Sequence, residues 1–339
     1  MKIVFFEIFN EIQDKEKKAL EKLFPNDEVS FFIERLSEEN VNSVKDAEIV
    51  SVFTNSSVNK KVIDSLPKLK FINTSSTGFE HIDTDYCARK GIKVSNVPAY
   101  GSVTVAEFVF ALLLNLSRKV EKANNQLRQE DNFNIDALRG FDLKGKILGV
   151  IGTGKIGKNV IKIARGFGMN VIAYDLYPDL VFAKENNFEY KSFVEVISNS
   201  DVITLHTPYT KENHHLINKE NIIKMKEGVY LINTARGALI DTESLLWGLK
   251  KGIIAGAGLD VLEDERNLKE EIKILTSGKI NAIKNYKTLL QDHALIDMPQ
   301  VIVTPHIAFY SKEAEEEIMK VTVSNIAGFI SNNPINLVK

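Results

Sequence analysis

The sequence predicts an α/β protein built from two doubly wound parallel-sheet domains, one inserted in the other, and three observations carry the prediction. Short apolar runs of strand length alternate with amphipathic helical stretches over residues 1–100. One long helical pattern interrupts them, and the alternation restarts at Lys146. The restart opens on a glycine-spaced turn, Gly152, Gly154 and Gly157, of the kind that follows the first strand of a dinucleotide-binding unit.

In chain order, the first strands are expected at Ile3 to Phe6, Val29 to Ile33, Ile49 to Phe53, Leu69 to Ile72 and Ile92 to Val94. Strands separated by helices imply a mainly parallel sheet covered on both faces. From Val103 through Glu130 the pattern reads as one long helix, nearly continuously apolar from Phe108 to Leu116. So wide an apolar surface must be covered, either within the chain or by a second subunit, and a homodimer is expected. The second sheet takes strands from Lys146, Val171 to Tyr174, Asp201 to Leu205, Gly228 to Ile232, Ala255 to Leu259 and Val301 to Thr304. Residues 266–300 are more polar and show no strand, with Gly278 breaking two helical stretches. A last helix, from about Ser311 to Phe329, is expected to return to the first sheet. This divides the chain into residues 1–100 plus 309–339 and residues 101–308, with the active site expected in the cleft between them.

Composition narrows the function. The 339 residues carry 43 basic and 45 acidic side chains, so no basic excess points to nucleic acid or an anionic membrane. Cys87 is the only cysteine, which excludes an internal disulfide and suits a reducing compartment; a cytoplasmic protein is expected. The N-terminus lacks the apolar core of a signal peptide, and no uncharged run is long enough to span a bilayer.

The glycine turn names the cofactor class. The apolar strand before it, the helix after it and an acid at Asp175, 18 positions beyond Gly157, match the spacing of roughly 20 expected for a dinucleotide site. The helix N-terminus offers partial positive charge to the pyrophosphate. Asp175 is expected to accept hydrogen bonds from the adenosine ribose and to repel a 2′-phosphate, which favours NAD over NADP. No Arg or Lys follows directly at Leu176, Tyr177 or Pro178 to hold that phosphate.

Ligands of open α/β sheets sit at the carboxyl ends of the strands. Those ends carry His206-Thr207-Pro208, Asn233 to Gly237 with Arg236, Asp260 to Glu265, and Pro305-His306. A guanidinium, a carboxylate and an imidazole on one edge suit hydride transfer to a 2-oxo acid. Arg236 would fork onto the substrate carboxylate, His306 would protonate the carbonyl oxygen and Glu265 would orient that imidazole. Glu265 also lies in an acidic run whose ordinary meaning is a solvated face, and His206 competes with His306. We place His206 on the adenosine side, as a wall of the cofactor site. His214 and His215 are adjacent on an expected helix and face different directions, so no metal site is expected.

With these residues in view, the chain resembles the D-isomer-specific 2-hydroxyacid dehydrogenases over nearly its whole length, and among them the D-lactate branch. The matching segments are Val97-Pro-Ala-Tyr100, Gly149 to Gly157, Ile232 to Gly237, Gly258 to Glu265 and Thr304 to Tyr310. The resemblance implies a Rossmann NAD-binding domain inserted in a flavodoxin-like substrate domain, with His306 as proton donor and Arg236 and Glu265 in the active site. It also implies NAD contacts from Lys155, Ile156, Asp175, Thr207, Pro208, Asn213, Thr234, Ala235 and Asp260. Backbone N–H groups at Ser76, Thr77 and Gly78 would hold the substrate carboxylate, with Tyr100, Phe309 and Tyr310 lining the pocket and Phe53 or Asn55 nearby. The Phe309-Tyr310 pair points to a small substrate side chain, and reversible reduction of pyruvate to D-lactate is the expected reaction. Another 2-oxo acid, or a non-enzymatic NAD-sensing scaffold, are the alternatives. Two departures stand out: Ser75 occupies a position where many relatives carry Arg, and 41 positions separate Glu265 from His306, a long connection.

Overall fold

The computed structural model describes residues 1–8, 13–98, 100–263, 265, 268 and 286–338. It divides into two compact units, one of residues 1–100 and 311–339, the other of residues 101–310.

The first unit is a five-stranded parallel sheet of β1 (Lys2–Phe5), β2 (Glu28–Phe31), β3 (Ile49–Val52), β4 (Phe71–Thr74) and β5 (Lys93–Ser95). Its order, β2-β1-β3-β4-β5, is the flavodoxin-like one. Period-two alternation sends Val4, Val50 and Ile72 to one face and Ile3, Ile49 and Phe71 to the other, and all six are fully buried. This two-sided burial explains why the strands read as continuous apolar runs. The C-terminal helix Lys312–Ile330 returns to this unit, as expected. It buries Ile326 against the second face and stacks Phe329 on Phe71 at 4.5 Å. Ser75 joins a partly buried polar layer under that helix, 3.0 Å from Thr322 Oγ1 and 3.3 Å from Asn73 Nδ2.

The second unit is a seven-stranded parallel sheet. Its strands are β6 (Ile147–Ile151), β7 (Asn170–Tyr174), β8 (Glu189–Tyr190), β9 (Val202–Leu205), β10 (Val229–Asn233), β11 (Ile254–Leu259) and β12 (Val301–Val303). The order β12-β11-β10-β9-β6-β7-β8 reverses direction between β6 and β9, the Rossmann switch point. β8 was not expected: two residues at a sheet edge leave no periodic trace in sequence.

The long helix expected from Val103 to Glu130 is two helices, Ser102–Arg118 and Val120–Glu130. Lys119 between them takes a left-handed backbone, φ +53°. The Ser117 carbonyl accepts from Phe141 N–H, and Asn115 Oδ1 accepts from Glu121 N–H at the start of the second helix. The first helix spends its apolar face inside its own unit, packing Ala106, Val109, Phe110, Leu112 and Leu113 with Leu148, Val150 and Ile161 of the core. Its wide apolar surface therefore gives no argument for a second subunit. The excursion expected over residues 266–300, with its break at Gly278, lies largely outside the described residues; Tyr286–Ile296 within it is a helix. Among the described residues, no helix is long and apolar enough to cross a membrane.

Candidate active site

The carboxyl edge of the seven-stranded sheet collects the chemistry. β6 leads into Gly152, whose φ of +93° and whose approach to His206 leave no room for a side chain; a Cβ there would stand 2.7 Å from the His206 carbonyl carbon. The helix Lys155–Gly166 follows directly, and among the described residues no atom beyond the chain neighbours lies within 4 Å of the point where a Cβ on Gly154 would stand. After β7, the carboxylate of Asp175 accepts from Thr153 N–H at 2.6 Å and Thr153 Oγ1 at 2.9 Å with one oxygen, and from Tyr177 N–H at 2.8 Å with the other.

After β9, His206 Nε2 lies 2.9 Å from Thr204 Oγ1. Desolvation of the ring pushes its pKa down to about 3, so His206 is neutral at physiological pH. Asn213 braces the loop that follows, accepting from Thr210 N–H and donating to Pro208 O, both at 2.7 Å. His214 and His215 do not lie on a helix. They follow the single turn Lys211–Asn213, His215 has a left-handed backbone, and the two rings stack at 3.7 Å. His215 Nε2 meets Glu263 Oε1 at 2.7 Å, while the second Glu263 oxygen accepts from Thr242 N–H and Oγ1. The three side chains His214, His215 and Glu263 bring donor atoms within 4.8 Å of one another, and protein groups already occupy both oxygens of Glu263. His81, which the sequence left without a partner, lies 3.2 Å from Thr74 Oγ1 in the first unit.

Three adjacent strands, β10, β11 and β12, end in the groups expected to carry the reaction. Arg236 sits in a turn tied by Asn233, whose amide donates to Arg236 O and accepts from Ala235 N–H; Arg236 Nη1 donates to Ala235 O. Gly237 is required next, because a Cβ would fall 1.9 Å from the Leu262 carbonyl oxygen. That close approach sets the Arg236 turn against the segment leading to Glu265. His306 Nδ1 and Glu265 Oε1 are 2.9 Å apart, across the 41 positions that separate them. The acidic run therefore holds a real partner for His306 and is not simply a solvated face.

The loop bearing His306 is strained and braced. His306 takes φ +59°, a conformation uncommon for a residue with a side chain. Asp260, fully buried, holds it: its carboxylate accepts from Thr304 Oγ1 at 2.6 Å, Ile307 N–H at 2.9 Å and Ala308 N–H at 2.8 Å. Burial raises the Asp260 pKa above the ordinary carboxylate value, opposed by these donors and by His306. Sequence reasoning named Asp260 only as a cofactor contact; its bracing role links positions 44 to 48 apart and leaves no local signal. Phe309 packs edge-on to His306 at 6.3 Å and to Tyr310 at 5.9 Å. In the first unit, Ser76 Oγ donates to Gly78 O and Thr77 Oγ1 to Val97 O, which pins the 76–78 loop through its own side chains. Tyr100 belongs to that unit as well.

The edge fits a dinucleotide. Among the described residues, Thr207 Oγ1 and Thr234 Oγ1 are buried hydroxyls with no hydrogen-bond partner, one after β9 and one after β10, while the glycine turn presents an open backbone to a pyrophosphate. Comparison with known proteins agrees. Residues 110–308 match the model of the D-isomer specific 2-hydroxyacid dehydrogenase NAD-binding domain. The chain is 41% identical over 283 residues to an aromatic 2-oxoacid reductase of Clostridium sporogenes, covering 83% of this chain and 82% of that one. It is 37% identical over 302 residues to the D-lactate dehydrogenase of Escherichia coli, covering 88% of each. The solved D-lactate dehydrogenase of Aquifex aeolicus, complexed with NAD and lactic acid, superposes with a TM-score of 0.88 at 36% identity, over 99% of this chain and 98% of that one. A glycine turn for a dinucleotide and a carboxylate-held histidine on one sheet edge, matched along the chain by these relatives, place it in one family: this protein belongs to the D-isomer-specific 2-hydroxyacid dehydrogenases, NAD-dependent oxidoreductases that act on a CH–OH group.

Proposed function

We propose that this enzyme reversibly reduces pyruvate, or a close small 2-oxo acid, to the D-2-hydroxy acid. The observation that carries the reading is the His306–Glu265 pair. With Nδ1 held by the carboxylate, the other ring nitrogen, Nε2, is oriented to give a proton to the substrate carbonyl oxygen. NADH, when bound, supplies the hydride. Arg236 provides planar N–H donors for the substrate carboxylate and withdraws electron density from the neighbouring carbonyl. In the reverse direction His306 takes the hydroxyl proton, and Glu265 stabilises the imidazolium that results. The likeness to D-lactate dehydrogenases and the rings at Phe309 and Tyr310 support a short substrate side chain. The aromatic 2-oxoacid reductase of C. sporogenes, at 41% identity, favours a second reading with a larger side chain.

A panel of 2-oxo acids from glyoxylate and pyruvate to branched and phenyl derivatives, assayed for NADH oxidation with chiral analysis of product, decides between them. The first reading expects pyruvate to give the highest kcat/KM and a D-product. A preference for phenylpyruvate replaces it with the second, and an L-product or no turnover on any member contradicts both.

A cytoplasmic homodimer completes the proposal. Cys87 is the only cysteine, so the chain forms no internal disulfide, which suits a reducing compartment. Support for the dimer comes not from the apolar helix Ser102–Arg118 but from the segment after it. Val120 and Leu127 are exposed on a helix with no buried residue, and Phe133 and Ile135 are 86% and 75% exposed just beyond. Light scattering on the eluting protein should give twice the 38.1 kDa chain mass; a monomer mass removes the dimer.

A further inference from the structure

We infer that Thr153 and Tyr190 are positioning residues that lock the Asp175 carboxylate in place, and that this hydroxyl relay sets the discrimination between NAD and its 2′-phosphorylated form. Thr153 Oγ1 lies 2.9 Å from Asp175 Oδ2 and 2.8 Å from Tyr190 OH, and Tyr190 OH in turn accepts from Asp179 N–H at 3.2 Å. The proton count fixes the direction of every bond. Asp175 as a carboxylate only accepts, so Thr153 spends its single hydroxyl proton there. Tyr190 must then donate to Thr153 Oγ1, and its oxygen is left to receive the Asp179 N–H. The relay runs from Asp179 through Tyr190 and Thr153 to Asp175, each hydroxyl polarised by the charge at its end.

The relay ties two turns that must meet around the adenosine ribose. Thr153 lies between Gly152 and Gly154 in the turn after β6, and Asp179 caps the helix Leu180–Glu185 beyond the β7 turn that carries Asp175. Tyr190 stands on β8, the short edge strand, and its ring packs edge-on to Phe188 at 5.2 Å, which holds the hydroxyl still. Thr153 N–H and Tyr177 N–H complete the clamp, with donors on both oxygens of Asp175. A carboxylate fixed before the cofactor arrives accepts the ribose hydroxyls without a reorganisation cost. It also cannot swing aside to admit a 2′-phosphate, so the rejection of that phosphate depends on the clamp as well as on the charge.

The inference rests on Asp175 as the acid that reads the ribose, and the test separates the two. Equilibrium titrations with NADH and with NADPH, read by cofactor fluorescence, give a ratio of dissociation constants for the wild type and for Thr153→Val, Thr153→Ser, Tyr190→Phe and Asp175→Ala. Each hydroxyl lost is expected to lower the preference for NADH by about threefold to tenfold, the range of one net hydrogen bond. Thr153→Ser should restore it, and Tyr190→Phe keeps the ring and its packing if Thr153→Val folds poorly. A general loss of structure weakens both cofactors alike and leaves the ratio unmoved. If Asp175→Ala shifts the ratio while Thr153→Val and Tyr190→Phe do not, the relay is overturned and the acid stands. If Asp175→Ala also leaves it unmoved, both fall.

Discussion

Two carboxylates on the same sheet edge make opposite use of burial. Asp175, after β7, is half-exposed and is held by donors that lie within two residues of it or in the adjacent glycine turn. Asp260, after β11, is fully buried and spends its oxygens on a loop more than forty residues further along the chain. The first stays half-exposed at the sheet edge, and the second is withdrawn from solvent to hold another residue in a conformation it would not adopt alone. One acid of this edge therefore stays open to solvent, and the other constructs.

The contrast predicts different failures. Asp260→Asn keeps one acceptor but turns an amide N–H₂ toward either the Ile307 or the Ala308 N–H group, which the two carboxylate oxygens receive separately. The loop bearing His306 should shift, lowering kcat by about tenfold to a hundredfold, because small misplacements of a catalytic group are expensive. The substitution also removes a buried charge whose pKa burial has raised, so the Tm should move little. A large drop in Tm with kcat per folded molecule preserved would make Asp260 a stability residue instead. Asp175→Ala should leave kcat with saturating NADH nearly unchanged and reduce the preference for NADH over NADPH by about tenfold, as expected from losing a charged acceptor. An unchanged ratio would remove Asp175 from cofactor recognition.

A smaller effect belongs to His206. Its native pKa of about 3 lies below the ordinary value of 6.5, so the unfolded chain binds a proton that the native state refuses. The neutral ring is no burden above pH 6.5. Below it, His206 removes stability at up to about 1.4 kcal/mol per pH unit until the native ring protonates near pH 3. Urea unfolding at pH 7 and pH 5 should show a smaller pH dependence in His206→Gln than in the wild type; equal slopes would show that the ring titrates normally.

The same contrast explains what the sequence disclosed. Features with fixed local spacing were legible: both parallel sheets, the glycine turn, Asp175, and Arg236 ahead of its obligatory Gly237. The His306–Glu265 partnership could be expected only because both follow strands of one sheet, since nothing local joins positions 41 apart. Bracing by Asp260, the Tyr190 hydroxyl and the His215–Glu263 pair had no signal, because each depends on which loops the sheet order brings together. The break at Lys119 was hidden for a related reason. The helical pattern continues across it, and the Ser117 carbonyl is taken by a residue 24 positions further along the chain.

On the proposed mechanism, proton transfer belongs to the strained loop after β12 and not to the histidine after β9. Single-turnover oxidation of enzyme-bound NADH by pyruvate, followed at 340 nm in His306→Gln and His206→Gln, tests it directly. The rate should fall by about a thousandfold in His306→Gln, within the range for losing a general acid, and by less than about tenfold in His206→Gln. Rapid turnover in His306→Gln, or a collapse confined to His206→Gln, would contradict it.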